Sequence, residues 1–596
     1  MHRFLAITAL ALAGFTTSTA VADTITVCAS GCDFTRINAA INAASDGDVI
    51  QLSAQDYSQG NVIDTDGKAI TLLGATDKGG NPASILDGAA GSHRVLQCIN
   101  QEGADTIFEN LVIRNGYATS GGGMYIDGSS PTLTNCTFTS NIASDYGGAM
   151  YNEDSSPTLT GCTFTYNTAY DEGGGMCNGD DSSPTLTNCT FENNFAGESG
   201  GGMYNDGCNP TLTGCTFTYN TAYEDGGGMC NGDDSSPTLT DCTFTSNSAY
   251  DGGGMLNDSS SPTLTNCTFT SNSAVNGGGI DNSNSSSPTL TDCTFTGNSA
   301  DNGGGMYNID SSSPTLTNCT FTGNSAESSR GGGMYNASSN PTLTDCTFTS
   351  NSAVNGGGID NQVASSPTLT GCTFDGNSAS SLGGGMRNYD ASNPTLTDCT
   401  FDGNLADYYY GGGMYNESSS PTLTNCTFTS NSADRGGGMY NYSSSPTLTD
   451  CTFTSNSADY HGGGMRNNTS SSPTLTNCTF TSNSASRDGG GMDNYSSSPT
   501  LANCNFCGNT SGTGNRNVDG SIDGSSSGNR LLLNCNTGDV NFDLQIDSGD
   551  LGYLLALWGA SSVLNADINQ DGEVNGADLA YILSYFGGAT DATTAP

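Results

Sequence analysis

Two twelve-residue stretches place oxygen-bearing side chains at alternate positions, the arrangement that holds a hard divalent cation. Residues 539–550 read DVNFDLQIDSGD and residues 567–578 read DINQDGEVNGAD. In the first, Asp539, Asn541, Asp543, Asp547 and Asp550 stand at loop positions 1, 3, 5, 9 and 12, with the backbone carbonyl of Gln545 at position 7. Asp567, Asn569, Asp571, Asn575 and Asp578 repeat the set in the second, with the carbonyl of Glu573. Calcium takes about six to eight oxygens, so each loop is expected to bind one calcium ion, two in all. Gly572 stands sixth in its loop, where the sharp turn falls; Leu544 stands there in the first, which alters its geometry.

A helix is needed behind each loop to hold it. Leu551, Leu554, Leu555 and Trp558 fall at helical spacing, and Leu579, Ile582, Leu583 and Phe586 repeat the pattern. Every matched position is offset by 28 residues, Tyr553 to Tyr581 included, so the unit is duplicated. Over residues 537–587 the pair resembles a type I dockerin. That resemblance implies calcium-dependent docking onto a cohesin-like partner. Loop positions 10 and 11, which help choose the cohesin in that family, are Ser548-Gly549 and Gly576-Ala577 here. They are not the usual hydroxyl pairs, so the resemblance names no particular cohesin.

Most of the chain is a repeat. Gly triplets, or near copies, start at Gly121, Gly147, Gly173, Gly200, Gly226, Gly252, Gly277, Gly303, Gly331, Gly356, Gly383, Gly411, Gly436, Gly462 and Gly489, spaced 25 to 28 residues apart. A fixed period of this size means a stacked solenoid. Within one copy, Leu133, Cys136 and Phe138 are apolar between threonines. Cys136 and Phe138 alternate with period two, and the three-residue step from Leu133 requires a corner. Thr content and Pro131 oppose a helix. With Met124 inward, three short strands and three corners make one coil. Asn141 recurs at one phase through Asn509, so stacked Asn side chains are expected to bond one another and cap turn carbonyls. No coil can stand alone, and stability is cooperative along the axis.

The paired signals Phe138-x-x-Asn141 and Gly122-Gly123-Met124 resemble the repeats of chlamydial polymorphic outer membrane proteins. More broadly the repeat is similar to the right-handed β-helix, pectin-lyase-like superfamily. The expected fold is all-β: a right-handed parallel β-helix of about 15 regular coils plus N-terminal coils, then a small α-helical calcium-loop domain. The superfamily includes lyases, hydrolases, esterases and adhesins, so it implies the fold and not the activity. The residues after Ser511 are too few for a membrane barrel beside the calcium module.

The divisions follow. Residues 1–22 read as a secretory signal, with an apolar stretch from Phe4 to Phe15 and Ala20-Val21-Ala22 for cleavage. Residues 23–120 are a cap and irregular first coils, with Phe34, Ile37, Ile41 and Ala44 on one helical face. Strand-like runs follow at Val49–Leu52, Ala69–Leu73, Val95–Cys98 and Leu111–Ile113. The repeat spans 121–511, a Gly/Ser-rich end cap or linker 512–536, the calcium module 537–587 and a tail 588–596. No later stretch is long and apolar enough for a membrane span, so the mature protein is expected outside the cell or at its surface.

Of 23 cysteines, fifteen sit at the Cys136 phase, at positions such as Cys162, Cys267 and Cys504. They are expected to stack inside as small hydrophobes about 4.8 Å apart. Cys28 with Cys32, and Cys507 with Cys535, are the disulfide candidates, with one further pair among Cys177, Cys208 and Cys230.

A net charge of −46 excludes nucleic acid as a partner. The residues offer little for catalysis. A uronate lyase needs a cationic base beside carboxylates. The repeats hold no lysine, and Arg330, Arg387, Arg435, Arg466 and Arg487 look scattered, Arg387 and Arg466 lying three coils apart. Asp180-Asp181 and Asp233-Asp234 read as solvated turns, and His93 and His461 show no partner. Lys68, Lys78 and Arg94 are the remaining cations for a site in residues 23–120. The expected role is an exported, non-catalytic scaffold or adhesin with a calcium-dependent docking module, and no catalytic residue is assigned. The alternatives are a uronate lyase or glycoside hydrolase, or a protein that binds polysaccharide without cleaving it, with Tyr408-Tyr409-Tyr410 as stacking platforms.

Overall fold

A computed structural model describes residues 22–89, 93–514, 517–532, 555 and 579–580. The described chain is a right-handed parallel β-helix with one helix at its start. The coil after Gly436 shows the plan: strands Met439–Tyr442, Thr447–Thr449, Thr452–Thr454 and Ser457–His461, each paired in parallel to the same strand of the next coil. Leu448 and Phe453 point in and the flanking threonines out. We name the stacks of these strands the Met, Leu, Phe and fourth sheets. The Leu sheet has 19 strands.

The fourth sheet departs from the three-strand expectation. The Ser-Ala stretch after the recurring Asn is extended, with Ala433 or Ala458 inward. One small inward side chain carries too weak a period-two signal to announce a strand. This sheet is also interrupted. A five-stranded block ends at Thr221–Ala222 and an eight-stranded block begins at Ser325–Arg330. Between them Ser248, Ser273 and Ser299 make single bridges only.

The interior is built of columns. Phenylalanine rings stack at 4.5–5.0 Å with planes within 6° of parallel. The thiols of the Cys136 phase are buried, and each donates to carbonyls, as Cys267 does to Leu239 (3.8 Å) and Thr265 (3.4 Å). The Asn column is continuous: Asn298 Nδ2 donates to the Phe269 carbonyl (2.9 Å) and to Asn324 Oδ1 (3.0 Å). A second buried column, unread in the sequence, runs from Asn152 to Asn494 in the Met sheet, each Nδ2 donating to the next Oδ1 at 2.7–2.9 Å.

Helix Ile37–Ala43 covers the first coil with Ile37, Ala40 and Ile41 buried. Phe34 precedes it and pairs with Val27 instead of joining the helical face. Lys68 Nζ donates to the carbonyls of Ile41 (2.7 Å), Asn42 (3.1 Å) and Ala44 (2.8 Å), a cation on the helix C-terminus. Cys28 and Cys32 are joined by a disulfide. Cys507 is disulfide-bonded, and Cys535 lies outside the described residues. The pair expected among Cys177, Cys208 and Cys230 is not formed; all three are free and buried. Cys177 and Cys230 share one column of the Met sheet but Tyr204 stands between them. Cys208 lies outside that sheet. At the far end Val518–Asp519 pairs with Met492 and Asp493, and Arg530–Leu532 with Asn505–Cys507, so residues 517–532 add an irregular coil. No helix of the described residues is long and apolar enough to cross a membrane.

Candidate functional site: a lateral groove

Two positions of the repeat vary from coil to coil, and the fold sets them side by side. One is the residue before each Gly triplet. Its backbone stacks through Tyr146, Glu172, Ser199, Asp225, Asp251 and Asn276. The same column continues through Arg330, Asn355, Leu382, Tyr410, Arg435 and His461. The other is the central residue of the Met strand. It reads Tyr151, Cys177, Tyr204, Cys230, Leu256, Asp281 and Tyr307 in the first half, then Tyr335, Asp360, Arg387, Tyr415, Tyr440, Arg466 and Asp493. The tight Gly corner sets the two columns side by side along the rod, where their side chains meet, as Tyr146 with Tyr151 and Tyr410 with Tyr440; we term this strip the cleft or groove.

The first half of the cleft is acidic. Burial, with repulsion from Glu198 and Asp206, pushes the Glu172 carboxyl up to about 7. Burial with Asp251 and Glu224 pushes Asp225 up to about 6. Asp281 is fully buried, its Oδ1 has no hydrogen-bond partner, and burial holds it well above the carboxylate range. Where the fourth sheet is interrupted, this half opens into a cavity of about 710 Å³. Phe195, Tyr223, Tyr250 and Val275 line it with Glu224, Asp225 and Asp251. Tyr223 is 75% exposed and Tyr250 56%, aromatic faces presented to solvent beside carboxylates.

The raised acids give a pH prediction. A carboxyl raised in the fold adds stability that is fully present below its unfolded value near 4 and lost as pH rises through the folded value. Glu172→Gln should therefore melt with the wild type at pH 4.5 and above it at pH 8, by about 1–2 kcal/mol once solvent screening is allowed for. Parallel melts across the two pH values check it; equal wild-type and variant melts at pH 8 would refute the assignment.

The second half carries cations and rings. Arg387 Nη1 bonds the buried Asp360 at 3.1 Å, and Arg466 pairs with Asp493. Burial pushes Asp493 up to about 6 despite that arginine. His461 Nδ1 lies 3.3 Å from Asp488 and 3.9 Å from Asp493. Burial and the Arg466 guanidinium hold His461 below its ordinary value. Tyr410 stacks on Tyr440 at 4.5 Å, and Arg435 donates to the Tyr410 hydroxyl at 3.3 Å. The expectation of an unpartnered His461 is thereby overturned: neighbours in space are about one coil, 25–28 residues, apart in sequence. Arg387 and Arg466 stand three coils apart, as expected, each on its own carboxylate.

Among the other candidates Asp180 and Asp233 share a neighbour, Asp206, whose carboxyl is raised by burial and by their charges. Asp180, Asp181, Asp233 and Asp234 are exposed turn residues. Lys68 caps the helix, and Arg94 lies over Tyr125 at 4.3 Å. Tyr408 and Tyr409 are exposed, while Tyr410 turns into the groove stack. Among the described residues no group of three His, Cys, Asp or Glu is placed to hold a metal ion. The calcium-loop residues Asp539 to Asp550 and Asp567 to Asp578 lie outside the described residues.

Comparison with known proteins bears on both parts. The family described as right handed beta helix region matches residues 95–250, 170–321, 283–453 and 414–542. The dockerin type I domain matches residues 537–587. No curated protein matches. Among solved structures, pectate lyase Pel9A is 13% identical with a TM-score of 0.22, covering 60% of this chain and 73% of its own. The mannuronan C-5 epimerase AlgE4 A-module of Azotobacter vinelandii is 12% identical with a TM-score of 0.23, covering 69% and 92%. The PL6 family alginate lyase AlyGC is 11% identical with a TM-score of 0.20, covering 86% and 100%. Such low scores say nothing of what this chain does. The chain belongs to the right-handed β-helix family over residues 95–542 and carries, at 537–587, a type I dockerin domain, a module class that binds calcium and cohesins and occurs in extracellular proteins.

Proposed function

We propose that this is an exported, non-catalytic β-helix rod that binds polysaccharide along its lateral groove and is tethered through its dockerin to a cohesin-bearing partner. The cavity over Phe195, Tyr223 and Tyr250 carries the reading. Exposed aromatic faces beside hydroxyl-accepting carboxylates suit stacked sugar rings. Binding is favoured over uronate cleavage because the arginines that stand beside carboxylates, Arg387 on Asp360 and Arg466 on Asp493, are held in ion pairs and are not free to act as a base. A second reading has one support. A carboxyl held near 7, as Glu172 is, suits a general acid for glycoside hydrolysis.

In the dockerin, Asp539, Asn541, Asp543, Asp547 and Asp550 would hold one calcium ion and Asp567, Asn569, Asp571, Asn575 and Asp578 the other, with the carbonyls of Gln545 and Glu573. The donor set is all oxygen, which fits that ion. Calcium supplies the fold of the docking surface.

The test follows product release and retention of the mature protein on neutral and uronate polysaccharides, with calcium and with chelator. Retention without cleavage, surviving chelation, supports the binding rod. Released product sinks the non-catalytic reading, and no retention on any polymer sinks the groove assignment. For the tether, Asp567→Ala should weaken cohesin capture at least ~100-fold by loss of a calcium ligand while the rod melts unchanged. Unchanged capture by that variant refutes the ligand assignment.

A further inference from the structure

We infer that the arginine half of the groove is a separate subsite for an acidic sugar residue, one bearing a carboxylate or a sulfate half-ester. This rests on the groove being a polysaccharide site, and it assigns that site's charge specificity. The first observation is placement. Arg330, Arg387, Arg435, Arg466 and Arg487 are all the cations of residues 121–511, His461 apart, in a chain of net charge −46. Arg330, Arg435, Arg387 and Arg466 stand in the two groove columns, and Arg487 lies beside them against Tyr460. Solubility does not require this, because cations spread over the rod would serve it equally.

The second observation is how they are used. Arg387 and Arg466 are neutralised by Asp360 and Asp493. Among the described residues Arg435 and Arg487 form no ion pair within 4.0 Å. They flank one ring instead: Arg435 lies 5.9 Å and Arg487 5.0 Å from the centre of Tyr460, which is 38% exposed. A ring 38% exposed with two guanidinium groups over it brings planar donor forks to the surface. The forks match a carboxylate or a sulfate with paired, charge-assisted bonds that the hydroxyls of a neutral sugar do not supply.

The third observation is His461, in the same column as Arg435. Besides burial, Arg466, Arg435 and Arg487 act to hold it neutral, against Asp488. Three guanidinium groups thus add a positive field at this point of an acidic protein, opposed there by Asp488 and Asp493. Asp434 and Asp459, each one residue before Arg435 and Tyr460, set the limit of that field.

The test uses the full-length, calcium-loaded protein on immobilised polygalacturonate, a sulfated galactan and a neutral glucan. The Arg435→Gln/Arg487→Gln variant is compared with Tyr223→Ala/Tyr250→Ala, thermal melts confirming that both fold. The arginine variant should hold at least one acidic polymer ~10-fold more weakly, with reduced salt dependence and unchanged glucan retention. Loss on polygalacturonate identifies the carboxylate, and loss on the galactan the sulfate. Unchanged acidic retention in the arginine variant overturns the subsite and leaves the groove reading standing. So does wild-type protein that holds glucan but neither acidic polymer. If no polymer is retained at all, the groove reading fails and the subsite with it.

Discussion

Asn298→Leu is expected to destabilise the middle of the rod by about 3–5 kcal/mol, although leucine has the same number and branching of side-chain heavy atoms as asparagine. Asn298 Oδ1 accepts from both the backbone N–H and Nδ2 of Asn272, each at 3.0 Å. Its own Nδ2 serves the Phe269 carbonyl and Asn324 Oδ1. Leucine strands the Asn272 backbone N–H and one Nδ2 hydrogen of Asn272 in a site with no exposure, at about 1–3 kcal/mol for each buried polar group left unpaired. Asn298→Asp keeps the acceptor but loses both donors and buries a charge against two oxygens, so it should be no better. A long stack need not unfold in one step. The measurement is therefore local: amide exchange across residues 269–324, where protection should fall in both variants. Wild-type protection in Asn298→Leu would show that the column only fills space.

The Asn column belongs to the part of the fold that the repeat itself declares. Leu133, Cys136, Phe138 and Asn141 recur with little change in every copy, so their periodicity marks their inward side. The second Asn column recurs almost as faithfully, yet it stands next to the variable Tyr125, Cys177 and Arg387 phase, and periodicity alone does not separate the two. The groove is illegible in the sequence for the opposite reason. Glu172 and Tyr204, or His461 and Asp488, are neighbours only because the coils stack without slippage. In the sequence they are unlike residues in unlike copies. Their adjacency depends on how each Gly corner turns, which composition does not specify. What varies in a solenoid is what the scaffold leaves free, so those positions are where recognition can be written. The dockerin domain is legible because its pattern is local, each expected ligand set lying within twelve residues.

The corner that makes the groove supplies the second large effect. Gly278→Ala is expected to cost more than about 3 kcal/mol and to leave little folded protein. This middle glycine is kept in all fifteen triplets, whereas Ala149 already stands at the third position of one. A Cβ there would lie 2.5 Å from the Gly304 carbonyl oxygen and 2.6 Å from that of Ser299. Neither can yield, since both are backbone of the next coil. Relief means parting the coils where Gly278 N donates to the Gly303 carbonyl at 3.1 Å. Gly297→Ala is the control. Gly297 has φ +63, and a Cβ there would meet nothing nearer than Ser271 Oγ at 3.8 Å. The only cost is the left-handed backbone, about 1–2 kcal/mol. Ser271 and Ser350 already adopt it at φ 55 at the same phase of other coils. Soluble yield and thermal melts of the two variants separate close packing from backbone strain. If both behave alike, the close approach of coils at the triplet is not what requires glycine there, and the groove corner could be remodelled by ordinary side chains.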